Sequence, residues 1–387
     1  MKRAVSFERP DWRKTAEDIG FNFHTMYGQD YWHEAHRYEF TIEQVERDIR
    51  RPAKELHEMC REAVDFALRS EEWLNKLRIP EQFWDMIVHS WTGGERELIG
   101  RFDFAYDGVK PAKLLEYNAD TPGSILESGR MQSMWLHDLF FLGQLPEASR
   151  QANWLEEAIV ARFKEMFSPG CHVHFTGVDG NVEDRGTLRY LEACAFRAGL
   201  IHHYVPIDAI GVDREGRFAD QNSVVIDSLF KMYPWEFMFR EEFSSFLPGS
   251  EVTFIEPVWK AVLSNKGLLP LLWHLFPGHP TLLPAYFESD ADKTDLGSSF
   301  VRKPMFSREG TAVQIVENGS VLENTEGAVL EECFVLQEYS PLPELDGNYP
   351  VVGAWIVGTD FAGIGMREDS GQITKDTSRF VPHIVLF

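Results

Sequence analysis

Arg101, Asp103, Glu116 and Asn118 fall within RFDFAYDGVKPAKLLEYNADTP, residues 101–122, and their spacing can bring all four to one surface. The runs RFDFAYD and KLLEYNA alternate polar and apolar side chains across a turn bearing Gly and Pro, which predicts a β-hairpin. A strand sends every second side chain to the same face, so Arg101 joins Asp103 and Glu116 joins Asn118. Two carboxylates and a carboxamide oxygen are hard ligands of the kind Mg²⁺ accepts when phosphate oxygens complete its shell. A guanidinium on that face can hold a second anion through its planar fork of N–H donors. The alternative is an edge hairpin with a solvated charged face. The polar sequel NADTPGS, with two hydroxyls and a glycine, favours a binding surface.

A chain of 387 residues exceeds one usual core and predicts two or three packed subdomains. With 44% apolar and 13% aromatic residues it is not disordered. Its formal net charge of −23 disfavours nucleic acid and would attract cationic partners such as polyamines. Cys60, Cys171, Cys194 and Cys333 are far apart, with no C-x-x-C pair. That pattern, an N-terminus without a signal-type apolar segment, and no membrane-length apolar run predict a soluble cytoplasmic protein. Oligomeric state is not legible.

The hairpin must be carried by the elements around it. Thr41 and Gln44 make a capping box, and Val45, Ile49, Leu56, Cys60, Ala63 and Ala67 predict a helix over 42–69, disturbed at Pro52. Further helices are expected over 81–92 and within 130–167. A strand, His172–Val178, leads through the loop DGNVEDRGT to a helix from Thr187 to Ala198, and a buried strand runs from Val224 to Met232. Glu183 and Asp184 sit in that strand-to-helix connection, where α/β sites form. From Glu256 the chain turns β-rich, with one helix and a two-residue hairpin turn at Asn318-Gly319. His33 with His36, and His172 with His174, could pair on a metal, but packing or solvation explains them as well.

Two lysines stand out in this second half. Lys266 opens an apolar helix, and Lys303 ends a strand before the Gly-bearing loop MFSREGT. A cation beside a loop whose N–H groups can approach oxygens is what a triphosphate needs. No Walker motif, G-x-G-x-x-G or G-x-S-x-G elbow is present.

RFDF followed by LLEYNADT, EPVWKAVLSNKGLLPLLWHLFPGHPTLLPAYF, VRKPMFSREG and the closing GIGMRED together resemble the synthetase domain of the glutathionylspermidine synthetase family, which includes trypanothione synthetase. Within it the chain is most similar to the stand-alone, provisionally named acid–amine ligases, which lack a fused amidase domain. The resemblance implies an α+β, ATP-grasp-type C–N ligase that uses ATP and Mg²⁺ to join a peptide-like carboxylate to an amine. It implies one catalytic unit over 1–387. Residues 1–255 would form a helical and mixed α/β part carrying the metal hairpin 101–122 and the acyl and amine sites, and 256–387 a β-rich nucleotide part.

Matched position by position, the resemblance makes Arg101 the acyl- and phosphoryl-contacting arginine. Asp103, Glu116 and Asn118 become magnesium ligands, and Thr121 stands where the family has a serine. Glu183 and Asp184 match an acidic pair near the substrates. Lys266, Lys303, Glu309, Gly310, Gln337, Glu338, Tyr339 and Arg367 fall among the nucleotide contacts, with Arg101 and Asp103. The sequence departs at SREG, where the family has GRCG, and at Val351 or its neighbour, where a nucleotide-contacting glutamine is expected. A catalytically silent nucleotide-binding protein and a magnesium-dependent hydrolase remain alternatives.

Overall fold

The computed structural model describes residues 1–290 and 296–386; residues 291–295 and 387 of the expected β-rich part lie outside the description. The hairpin forms as its alternation predicts. Ile99–Ala105 pairs antiparallel with Lys113–Asn118, placing Arg101 opposite Asn118 and Asp103 opposite Glu116. Its first strand is not an edge, however. Tyr349–Val357 pairs along its other side, with Gly353 opposite Asp103, and the sheet continues through Asp360–Asp369 to Arg379–Phe380. Every residue of Ile99–Ala105 is therefore buried, whereas Lys113–Asn118 is the edge strand of the sheet and stays half-exposed at Glu116 and Asn118. Phe102, Phe104, Leu114 and Tyr117, on the face away from Arg101, join a large apolar core. A one-residue slip would bury the charges in that core, which fixes the register.

A second five-stranded antiparallel sheet runs in the order Ala285–Phe287, Phe334–Glu338, Phe300–Pro304, Gln314–Glu317, Ser320–Asn324. Asn318 (φ 50°) and Gly319 (φ 79°) make its tight turn in the left-handed region, as a primed turn requires. A third, parallel sheet of Thr253–Ile255, Ser228–Met232, His172–Gly177 and Ile201–Tyr204 packs into a second apolar core with the helix Val182–Arg197. The fold is thus a mixed α and β one, built of several sheets and packed helices. Among the described residues no helix is long and apolar enough to cross a membrane.

Local reading succeeds for the long amphipathic segment. Arg51–Ala67 is α-helical and buries Ala53, Leu56, Cys60, Ala63, Val64 and Ala67 along one stripe. Gln44–Arg50 ahead of it winds as a π-helix, and Pro52 sits in the first α turn. The expected disturbance is therefore a widened turn and not a break. Thr41 and Gln44 exchange their capping bonds at 3.0 and 3.2 Å.

Other boundaries move. The helix expected from Thr187 starts at Val182, because Asn181 caps it by accepting from the Glu183 and Asp184 amides, both at 3.1 Å. Gly186, which reads as a breaker, lies inside that helix where Phe23 packs so closely that a Cβ would come within 2.7 Å of its ring. The strand expected from Val224 starts at Ser228, since Asp220 turns the preceding segment by accepting from Asn222 and Val224 amides. The N-terminal part is not purely helical. Lys2–Val5 and His36–Thr41 form a sheet with His383–Leu386, tying the two ends of the chain together.

Candidate functional site

The two antiparallel sheets face each other across one cavity. Arg101, Asp103, Glu116, Asn118 and Arg367 line it from the hairpin sheet, and Val301, Lys303, Ile315, Gln337 and Glu338 line it from the second sheet. Thr121, Glu183, Lys266, Glu309, Gly310 and Tyr339 complete the set, so of all the site residues expected from sequence only Asp184 is set back from the wall.

The hairpin ligands are organised around Arg101. Its Nε and Nη2 donate to the two oxygens of Asp103 at 2.7 and 3.0 Å, and its Nη1 donates to the Gly123 carbonyl at 2.6 Å. Asn118 Nδ2 donates to Asp103 Oδ2 at 3.2 Å. The arginine lies flat over Gly353, where a Cβ would come within 3.0 Å of its Cδ. Gly353 is opposite Asp103 in the sheet, so the facing strand needs a residue without a side chain there. Lys266 Nζ lies 3.2 Å from Glu116 and donates to the Ser307 carbonyl at 2.5 Å. Burial alone would raise the Glu116 carboxyl, but Lys266, Lys303 and Arg101 outweigh it and hold it near about 2.

Lys303 is buried, and among the described residues its ammonium donates to two neutral oxygens, Leu115 O at 3.0 Å and Gln337 Oε1 at 2.7 Å. Burial accordingly depresses it to about 8. A buried cation held by carbonyls invites an anion. The Gln337 side chain is committed elsewhere, with Nε2 on Leu114 O at 2.9 Å, so it stitches the two sheets together. Leu115, Val301, Val313, Ile315, Leu342, Val351 and Ile373 give the same cavity an apolar side. Glu309 and Gly310 take positive φ values of 54° and 67°, and a Cβ on Gly310 would run into the Thr374 carbonyl. The loop packs there against Ile373 and Thr374, which line the cavity with it. Arg367 Nη2 donates to Lys375 O at 2.5 Å.

For the metal, two carboxyl groups and an amide oxygen on facing strands are an oxygen-only donor set, which fits a hard cation. Among the described residues there is no cluster of three or more His, Cys, Asp or Glu placed to hold an ion. Any ion here would depend on the amide and on phosphate oxygens. The histidine pairs do other things. His33 Nε2 and His36 Nδ1 share a hydrogen bond at 3.0 Å, and His172 Nδ1 bonds His203 Nε2 at 2.9 Å.

Sequence reasoning missed Tyr31, Ser124, Arg308, Gln372 and Asp376, all on the cavity wall. Arg308, beside the matched Glu309, was open to inference; it pairs with the buried Glu236 at 2.5 Å. Tyr31 carries no local signal.

Residues 3–386 match the family model described as the glutathionylspermidine synthase preATP-grasp region. A Haemophilus influenzae protein provisionally named an acid–amine ligase is 36% identical over 99% of this chain and 99% of its own length. Trypanothione synthetase of Crithidia fasciculata is 30% identical over 84% of this chain, which spans 53% of that protein's length. Among solved structures, a glutathione synthetase-like effector from Globodera pallida matches with a TM-score of 0.59 and 12% identity over 98% of each chain, a likeness of fold. With the match running from residue 3 to 386, the chain belongs to the glutathionylspermidine synthase family.

Proposed function

We propose that the chain is an ATP-dependent acid–amine ligase that forms an amide between a peptide-like carboxylate and an amine. The observation carrying this reading is the convergence of Arg101, Asp103, Glu116, Asn118, Lys266 and Lys303 on one cavity between two sheets. Such a gripping pair of sheets agrees with an ATP-grasp arrangement. On this reading the apolar side formed by Leu115, Val301, Ile315 and Val351 takes the base, with Glu338 and Tyr339 beside it. Lys266, Lys303 and the Glu309–Gly310 loop take the phosphates. Residues 1–255 then supply the acyl and amine sites, around Thr121, Glu183 and Asp184, and 256–387 most of the nucleotide site.

Asp103, Glu116 and Asn118 would hold Mg²⁺, which neutralises phosphate charge when bound. The protein's own groups do the rest. A carboxylate is a poor electrophile, so its oxygen first takes the γ-phosphoryl group of ATP, giving an acyl phosphate and ADP. The amine then attacks the acyl carbon and phosphate leaves. Phosphoryl transfer depends mainly on positioning and charge stabilisation. Two lysines and the Arg101 fork provide both. The names of the relatives, an acid–amine ligase and a trypanothione synthetase, agree with this chemistry.

The test is a mass-spectrometric screen of peptides and polyamines incubated with ATP, Mg²⁺ and enzyme. A condensed product with stoichiometric ADP is expected. ATP-independent cleavage of an amide would instead identify a hydrolase, and nucleotide binding without turnover a silent protein.

A further inference from the structure

A second cavity, of about 340 Å³, lies away from the one between the two sheets. It forms where the strand Ser228–Met232 and the short helix Trp235–Met238 meet the 3₁₀ segments Ile207–Ala209 and Glu242–Gly249. Among the described residues the two cavities have no lining residue in common. Its volume is that of a small-molecule site. Phe218, Tyr233, Phe243 and Phe254 give it an aromatic lining, with the Phe218 and Phe254 rings meeting edge to face at 6.5 Å. The rest of the lining is apolar apart from Ser244 and three acids. Such walls offer ordered water little to bond, so the space suits an apolar body.

The acids are Asp208, Glu241 and Glu242, all exposed and so at the mouth. Glu241 accepts from the Tyr233 hydroxyl. The Asp208 and Glu242 carboxylates make no hydrogen bond or ion pair among the described residues. No lysine, arginine or histidine among the described residues lines the cavity. Arg240, next in sequence to Glu241, is spent elsewhere: it donates to the Glu236 carbonyl at 2.5 Å and to Glu331. The mouth therefore repels anions, and aromatic rings with their negative faces favour a cation beside them.

We propose that this cavity is a second ligand site, taking an organic ammonium ion whose hydrocarbon body fills the aromatic pocket while its charge stays at the mouth beside Asp208 and Glu242. The inference stands apart from the ligase reading and uses none of the reaction residues. Charge complementarity selects the occupant. A fatty acid or other anionic amphiphile would bring like charge to the mouth. A polyamine, charged along its length, would press an ammonium against the apolar floor at Leu229, where nothing could pair it. A single ammonium at one end of an apolar chain suits both the floor and the mouth. Phe243, exposed on the 3₁₀ segment, then gains the apolar cover it lacks.

The test titrates three molecules with the same hexyl chain into the full-length protein by calorimetry: hexyltrimethylammonium, 1-hexanol and hexyl sulfate. The cation should bind once per chain and about tenfold more tightly than hexanol, with hexyl sulfate weaker than either. The double variant Asp208→Asn, Glu242→Gln changes only exposed side chains, and should cost the cation about tenfold while leaving hexanol unchanged. Ser244→Trp, in the half-exposed part of the lining, should block cation and alcohol alike without lowering Tm. Saturating ATP should not displace the cation, since the cavities are separate. Equal affinity for cation and sulfate, or a cation affinity indifferent to the double variant or to Ser244→Trp, overturns the proposal. Displacement by ATP overturns it too, by putting the cation in the reaction cavity. Preference for hexyl sulfate would mark a site for anionic amphiphiles and is equally fatal.

Discussion

Replacing Arg101 by lysine keeps the charge and removes the fork. In the structure three of the arginine's N–H groups are engaged, two on Asp103 at 2.7 and 3.0 Å and one on Gly123 O at 2.6 Å. A lysine ammonium can reach one of these partners from the same strand position. Losing two charge-assisted hydrogen bonds at about 1.5 kcal/mol each gives about 3 kcal/mol, or roughly 10² in rate if the loss falls on the transition state. The assay measures ATP affinity by calorimetry and acyl-phosphate formation in a single turnover, each at rising Mg²⁺. Arg101→Lys should bind ATP nearly normally and stay about 10²-fold slow even at saturating Mg²⁺. If the rate recovers fully at high Mg²⁺, Arg101 only orients Asp103 as a ligand. Near-wild-type turnover throughout would refute the reasoning altogether.

Glu116→Gln should sharply reduce ADP formation and raise the Mg²⁺ needed for half-maximal rate. Its folded carboxyl sits near about 2 against an ordinary 4.5, so its stabilisation is complete above pH 4.5 and lost as pH falls toward 2. The variant should therefore show a flatter fall in Tm across that window. Lys303→Met should weaken ATP binding by about 1.5–3 kcal/mol, seen in calorimetry. Because burial holds Lys303 near about 8, below its unfolded 10.5, it costs the ligand-free protein stability that returns as pH rises from 8 to 10.5. Lys303→Met should thus raise the ligand-free Tm at pH 7 and remove that rise. Gly310→Ala, strained at φ 67° and blocked by Thr374 O, should raise the KM for ATP, with the wild-type value as the contrary result.

The hairpin, the capping box, the long amphipathic helix and the Asn318-Gly319 turn were legible because each is dictated by neighbours within a few residues. Burial of Ile99–Ala105 was not, since it depends on Tyr349–Val357 arriving from the far end of the chain. Gly353 has no local meaning until Arg101 is seen lying across it. The residues gathered at the cavity could be matched one by one to a familiar pattern, but Gln337 shows the limit of matching. Its side chain binds Leu114 O and Lys303, a structural use that no motif records. Tyr31 on the cavity wall and Glu127 buried in the core come from separate segments, and nothing in their local sequence marks them.

In the proposed reaction a carboxylate oxygen is phosphorylated by ATP before the amine attacks. The direct measurement labels the carboxylate oxygens of the acid found in the screen with ¹⁸O and follows the label by mass spectrometry during one round of ligation. An acyl-phosphate route places one labelled oxygen in the released phosphate and leaves ADP unlabelled. Label in AMP, or phosphate carrying none, would contradict it.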